Sequence, residues 1–172
     1  MEPYLANREK TKELLARHDF LIKKGYGQNF LIHPAVPEGI VEAAEVTRED
    51  TVLEIGPGIG TLTQYLAGAA GRVLAVEIDR KLEPVLAESL AGFGNTELIW
   101  GDILKLDIEE IFRERGIRGP VKVVANLPYY ITTPILMRLL RQRKWFASLT
   151  VMVQSEVGER MAASPGGKDY GY

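Results

Sequence analysis

Short apolar runs recur along the chain, and each is followed by a segment whose apolar positions have helical spacing. In Thr51–Ile55 the residues Val52, Leu53 and Ile55 are β-formers at nearly consecutive positions, which suits a strand covered on both faces in a parallel sheet. Gly71–Asp79, Thr96–Trp100, Val121–Ala125 and Ser148–Gln154 read the same way. Helices are predicted over Pro34–Ala44, from Thr61, over Arg80–Leu90 with a proline at 84, over Ile108–Arg115, over Thr132–Leu140 and over Glu156–Ala163. In the first of these, Val36, Ile40, Val41 and Ala44 share a face, and the helix is expected to cover the glycine-rich loop after Ile55. Thr133 and Pro134 are read as the N-cap and first turn of the helix that starts near Thr132. Trp145 and Phe146 are expected in the core. Alternation of strand and helix predicts an α/β, Rossmann-like domain, a mostly parallel twisted sheet with helices on both faces.

The first part of the chain differs. From Arg8 to Ile22, Leu14, Leu15, Phe20 and Leu21 are interleaved with Lys10, Lys12 and Arg17, which on charge reads as a solvated helix with a basic face. Residues 1–22 are therefore set apart as a basic N-terminal arm and 23–172 as the domain proper. Lys23 to Leu31 is a glycine turn followed by an amide pair and two apolar residues.

Composition changes this picture little. The chain has 172 residues, 46% apolar and 26% charged, which is ordinary for one soluble domain, and a net charge of −2 that does not announce a nucleic-acid partner. There is no cysteine, and His18 and His33 are too few for a histidine metal site, so neither disulfides nor a bound metal is expected. No run resembles a signal peptide or approaches the roughly 20 apolar residues of a membrane helix, so the expectation is a soluble, cytoplasmic protein.

Candidate chemistry gathers at the ends of the strands, where ligands of open parallel sheets sit. Gly56, Gly58 and Gly60 allow positive φ and close approach of a ligand to the backbone, and the helix that follows turns its amide-rich N-terminus to the same place. A nicotinamide-dinucleotide fingerprint needs its third glycine one residue later, where Thr61 stands, which argues against a dehydrogenase. With Glu54 in front, the acid-x-Gly-x-Gly-x-Gly pattern is instead that of S-adenosylmethionine-dependent methyltransferases. Glu77 closes the second strand about 20 residues further on and can accept both ribose hydroxyls. Asp102 closes the third and could receive an adenine amine or serve only as a turn residue. After the fourth strand comes Asn126-Leu-Pro-Tyr129. Pro128 biases Leu127 toward an extended backbone, so that the Asn126 side chain and the Leu127 carbonyl can converge on one donor, with Tyr129 as a flat face for a nucleobase. A polar strand end with its tyrosine packed on the core is the alternative.

Gln28-Asn-Phe-Leu31, Glu54-Ile-Gly-Pro-Gly-Ile-Gly60, Glu77-Ile-Asp79, Gly101-Asp102, Asn126-Leu-Pro-Tyr129 and Pro165-Gly-Gly-Lys-Asp-Tyr-Gly171 occur in that order. In this the chain resembles the small-subunit ribosomal RNA adenine dimethyltransferases, from about Lys23 to the end. The resemblance implies the methyltransferase fold, S-adenosyl-L-methionine as cofactor, and dimethylation of the exocyclic N6 of two adjacent adenosines near the 3′ end of 16S rRNA in the immature 30S subunit. It implies contacts to the cofactor from Asn29, Leu31, Gly56, Gly58, Glu77, Asp102 and Asn126. Asn126, Leu127, Pro128 and Tyr129 would hold the flipped adenine, and Lys23 and Lys24 would meet RNA phosphates. Members of this family continue with further strands, a second aromatic for the target base and a helical C-terminal domain. The chain is accordingly expected to be a truncated piece of a protein that is a monomer when whole, with impaired methylation and a fifth strand whose open edge pairs with another copy. Rival readings are the 23S rRNA adenine dimethyltransferases of macrolide resistance and a non-catalytic RNA-binding assembly factor on the same scaffold.

Overall fold

The computed structural model describes residues 2–20, 31–127 and 129–167, with residue 129 described for its backbone alone. After α1 (Arg8–Arg17) and α2 (Ala35–Ala43), the chain alternates β1 (Thr51–Ile55), α3 (Thr61–Ala69), β2 (Arg72–Glu77), α4 (Glu83–Ser89), β3 (Thr96–Trp100), α5 (Ile108–Glu114), β4 (Val121–Asn126), α6 (Thr132–Arg141), β5 (Phe146–Met152) and α7 (Ser155–Ala162). One-turn 3₁₀ segments at Arg80–Leu82, Tyr129–Ile131 and Arg143–Trp145 lead into α4, α6 and β5.

The five strands form one sheet in the order β3-β2-β1-β4-β5, with each neighbouring pair parallel. The winding direction reverses between β1 and β4, which opens a crevice at the carboxyl ends of those two strands. Alternate strand residues feed two cores. Val52, Val73 and Val124 join Leu62 and Leu66 of α3 and Val85 and Leu86 of α4 on one face. Leu53, Ile55, Leu74 and Val123 join Phe112 of α5 and Ile135 and Leu139 of α6 on the other. This explains why the strands read as continuous apolar runs, since both faces are covered.

The N-terminal segment belongs to the first of these cores. Leu5 and Leu14 are wholly buried with Leu15 among the residues of α3 and α4. Buried Gln64 of α3 accepts from the backbone N–H groups of Tyr4 and Leu5 at 2.9 and 3.1 Å, and its amide donates to the Ser89 carbonyl at 2.8 Å. Glu88 of α4 accepts from Arg17 at 2.6 Å and lies 2.6 Å from His18 Nε2. The solvated helix expected from charge is thus solvated on one side only. Its charges lie on that side, while Thr11, Leu14 and Leu15 form a buried stripe.

Three local expectations are corrected. In α2 it is Pro37, not Val36, that is buried with Ile40, and Val36 is exposed. The helix packs on α3 and sends no residue to the crevice. Helix α6 starts at Thr132 with Ile131 at its N-cap and no side-chain cap, because the preceding 3₁₀ turn already orients its first residues, so Thr133 lies inside the helix. Strand β5 is an edge that carries no charged residue.

Candidate functional site

The crevice is a cleft of about 810 Å³. Its floor is the loop after β1, where Gly56, Gly58 and Gly60 have φ of +72°, +59° and +91°. A Cβ on Gly58 would meet nothing within 4 Å, so the loop leaves open space above its backbone. Gly60 is held to glycine twice, by its positive φ and because a Cβ there would stand 2.7 Å from Ser89 Oγ of α4. Thr61 and Leu62, the first residues of α3, also line the cleft, and the buried Thr61 hydroxyl has no partner.

Glu77 ties the glycine loop to β2. Its Oε2 accepts the Gly58 N–H at 3.2 Å, and its Oε1 accepts the N–H groups of Ile78 and Asp79, both at 2.9 Å. Burial raises its pKa, opposed by those three donors. Ile78 is 66% exposed on the cleft wall, an apolar side chain facing solvent beside a buried acid. Asp102 lines the same cleft and also shapes a turn, accepting the Leu104 N–H at 2.9 Å through Oδ1. Arg138 of α6 braces that turn by donating to the carbonyls of Ile103 at 3.0 Å and Leu106 at 2.6 Å.

From β4 the cleft receives Asn126 and Leu127, and from the 3₁₀ turn beyond them Tyr130 and Ile131. Leu31, Gly56, Gly58, Glu77, Asp102, Asn126 and Leu127, singled out from sequence, all line this one cleft. Lys23, Lys24, Asn29, Pro128 and the Tyr129 side chain lie outside the described residues. Sequence reasoning missed the wall made by His18, Asp19 and Phe20 at the end of α1, and it missed Ile78 and Tyr130. Phe20 was the available signal, an aromatic at the end of a helix whose apolar stripe is core.

Glu54 lies beneath the loop at 1% exposure with Oε2 unpartnered. Burial, with the Glu77 charge adding and the Thr63 hydroxyl opposing, pushes its carboxyl up to about 8. The unfolded chain ionises this group near its ordinary 4.5, so folding takes up a proton between those values. This contribution is fully present below about 4.5 and is lost as pH rises to about 8, by up to about 1.4 kcal/mol per unit. Glu54→Gln removes that slope, so in denaturant titrations the variant gains on wild type between pH 5 and pH 8. Parallel pH profiles for the two proteins would contradict a neutral Glu54.

Among the described residues, no three acidic or histidine side chains are grouped to hold a metal ion, and no helix is long and apolar enough to cross a membrane.

Residues 19–172 match the family model described as ribosomal RNA adenine dimethylase. A protein of Lachnoclostridium phytofermentans named ribosomal RNA small subunit methyltransferase A is 52% identical over 169 residues, covering 98% of this chain and 58% of that protein. The protein of the same name from Clostridioides difficile is 48% identical over 167 residues, with 97% and 58% covered. The chain therefore spans a little more than half the length of these relatives. Among solved structures, a dimethyladenosine transferase from Plasmodium falciparum superposes with a TM-score of 0.66 at 30% identity, over 80% of this chain and 48% of the other. The 23S rRNA methyltransferase ErmE gives 0.63 at 31% identity, over 74% and 48%.

Proposed function

The chain belongs to the ribosomal RNA adenine dimethylase family, and on that footing we propose that it binds S-adenosylmethionine and directs methyl transfer to the N6 of two adjacent adenosines near the 3′ end of 16S rRNA, two methyls on each. The observation that carries this reading is the convergence on one cleft of a glycine loop, Glu77 at the end of β2, Asp102 just past β3, and Asn126 with Leu127 at the end of β4. When bound, the cofactor supplies an electrophilic methyl group. The residues present fit it. Gly56 and Gly58 offer a side-chain-free surface to its methionine end, Glu77 has lone pairs left for ribose hydroxyls, and Asp102 Oδ2 can take an adenine amine. Exposed Ile78 offers an apolar face between those two acids.

On the β4 side, the Asn126 side-chain carbonyl and the Leu127 backbone carbonyl each accept one N–H of the target amine. In the first transfer, accepting both hydrogens draws the nitrogen lone pair out of conjugation with the ring, and in the second the one remaining N–H is accepted in the same way; no strong base is required, and each surplus proton leaves to water. Asparagine at 126 accomplishes this without a fixed charge beside the base. Holding the two reactants in line can contribute about 7–11 kcal/mol in favourable cases. Asn29 and Leu31 touch the methionine or ribose part of the cofactor, Pro128 and Tyr129 belong to the set that holds the flipped adenine, with Tyr129 stacked on it, and Lys23 and Lys24 meet phosphates. The whole protein acts as a cytoplasmic monomer on immature small subunits and needs no metal.

The test is incorporation of methyl groups into undermethylated 30S particles and into protein-free 23S rRNA, read by mass spectrometry of nucleosides. N6,N6-dimethyladenosine in the 16S fragment alone is expected. Product in 23S rRNA alone would transfer the assignment to the macrolide-resistance type, although identity to the small-subunit relatives is 52% against 31% for ErmE. Tight particle binding without any product would favour an assembly factor.

A further inference from the structure

The cleft has two halves, and one residue in the second has no part in the reading above. With the strand order β3-β2-β1-β4-β5, the glycine loop, Glu77 and Asp102 close the ends of β1, β2 and β3, while Asn126, Leu127, Tyr130, Ile131 and Ile135 line the cleft beyond β4. Leu127 and Ile135 are 8% and 3% exposed, and Ile131 packs against the same core. These residues anchor the 3₁₀ turn from both sides. Between them Tyr130 is 61% exposed at the cleft. Leu127 and Ile135 are held in the core while much of Tyr130 stays accessible at the cleft, which places its aromatic face within reach of a ligand.

The surroundings define what the ring would meet. The five residues lining this half are uncharged, so it offers nothing to a phosphate, whereas a flat apolar ring suits the face of a base. The glycine loop, Glu77 and Asp102, assigned to the cofactor above, lie at the ends of β1, β2 and β3. In a single strand the base next to a flipped nucleotide stays close to the pocket, and Tyr130 is an exposed part of its lining. We infer that Tyr130 is a stacking platform for the unpaired nucleobase adjoining the adenosine that is methylated, a contact that selects an unstacked strand around the target. This rests on the reading above.

The test uses a short single-stranded RNA carrying the two adjacent adenosines, with 2-aminopurine at a flanking position, titrated with protein saturated with S-adenosylhomocysteine. Stacking on an aromatic side chain is worth enough that Tyr130→Ala should weaken RNA binding at least about five-fold and abolish quenching of the flanking 2-aminopurine. Tyr130→Phe should restore both to within about two-fold, since the ring and not the hydroxyl makes the contact. Affinity for S-adenosylhomocysteine, measured by calorimetry, should stay within about two-fold in both variants. Unchanged RNA affinity in Tyr130→Ala would overturn the assignment, as would an equal loss of cofactor affinity, which would move the ring to the cofactor. Absence of RNA binding by the wild-type complex would overturn it too. Failure of the underlying reading is seen separately, as loss of cofactor binding or methyl transfer in the wild-type protein.

Discussion

Glu77→Ala will lower affinity for S-adenosylhomocysteine by at least about 100-fold in a calorimetric titration. Two hydroxyl groups donating to a carboxylate are charge-assisted hydrogen bonds of about 1.5–3 kcal/mol each, and 1.4 kcal/mol is ten-fold in affinity. The side chain also holds the N–H groups of Gly58, Ile78 and Asp79, so its loss loosens the glycine loop that faces the other end of the ligand. Glu77→Gln should fall between alanine and wild type, because one oxygen remains to accept while the new amide opposes the backbone donors instead of receiving them. Thermal unfolding should change little, since the buried carboxylate already carries a desolvation cost that alanine removes. A Glu77→Ala protein that binds within ten-fold of wild type would rule out the ribose role and, with it, this orientation of the cofactor in the cleft.

Asn126→Ala will reduce methyl incorporation into 16S rRNA by about 10²–10³, the usual consequence of deleting one preorganised polar contact at a reacting centre. Cofactor affinity should fall by no more than about ten-fold, because Asn126 stands at the end of β4 while the glycine loop and both strand-end acids follow β1, β2 and β3. Asn126→Asp is the sharper probe. It keeps an acceptor of the same shape but adds a charge beside the base, so it should remain well below wild type near neutral pH. Single-turnover rates at saturating RNA separate this from weaker binding, as the loss should appear in the rate and not in the half-saturating RNA concentration. Equal activity of the aspartate variant and wild type would remove the reason given for asparagine at this position.

The relation between sequence and structure differs from element to element. All five strands are placed by the sequence to within a few residues; β1, β2 and β4 are buried on both faces and so must be apolar at consecutive positions, while the edge strands β3 and β5 are only half-buried. Glu77 and Asp102 were legible for the same reason, being acids at the points where such runs end. The site reading from Lys23 to Leu31 and from Pro128 to Tyr129 has only Leu31 among the residues whose side chains are described.

What the one-dimensional pattern determined was the order of strand and helix, the glycine loop and the acids at the sheet's carboxyl edge, since each depends on a residue type at a local backbone position. Only the tertiary structure decided the rest. It drew the basic N-terminal helix into the core through Leu5, Leu14 and Gln64, and it added a close approach of Ser89 to the positive φ of Gly60. Burial between β2 and β4 raised the Glu54 carboxyl well above its ordinary value. Tyr130 was left exposed at the cleft while Leu127 and Ile135 were buried. Each of these depends on what a distant part of the chain places against the residue, and spacing along the sequence carries no record of that.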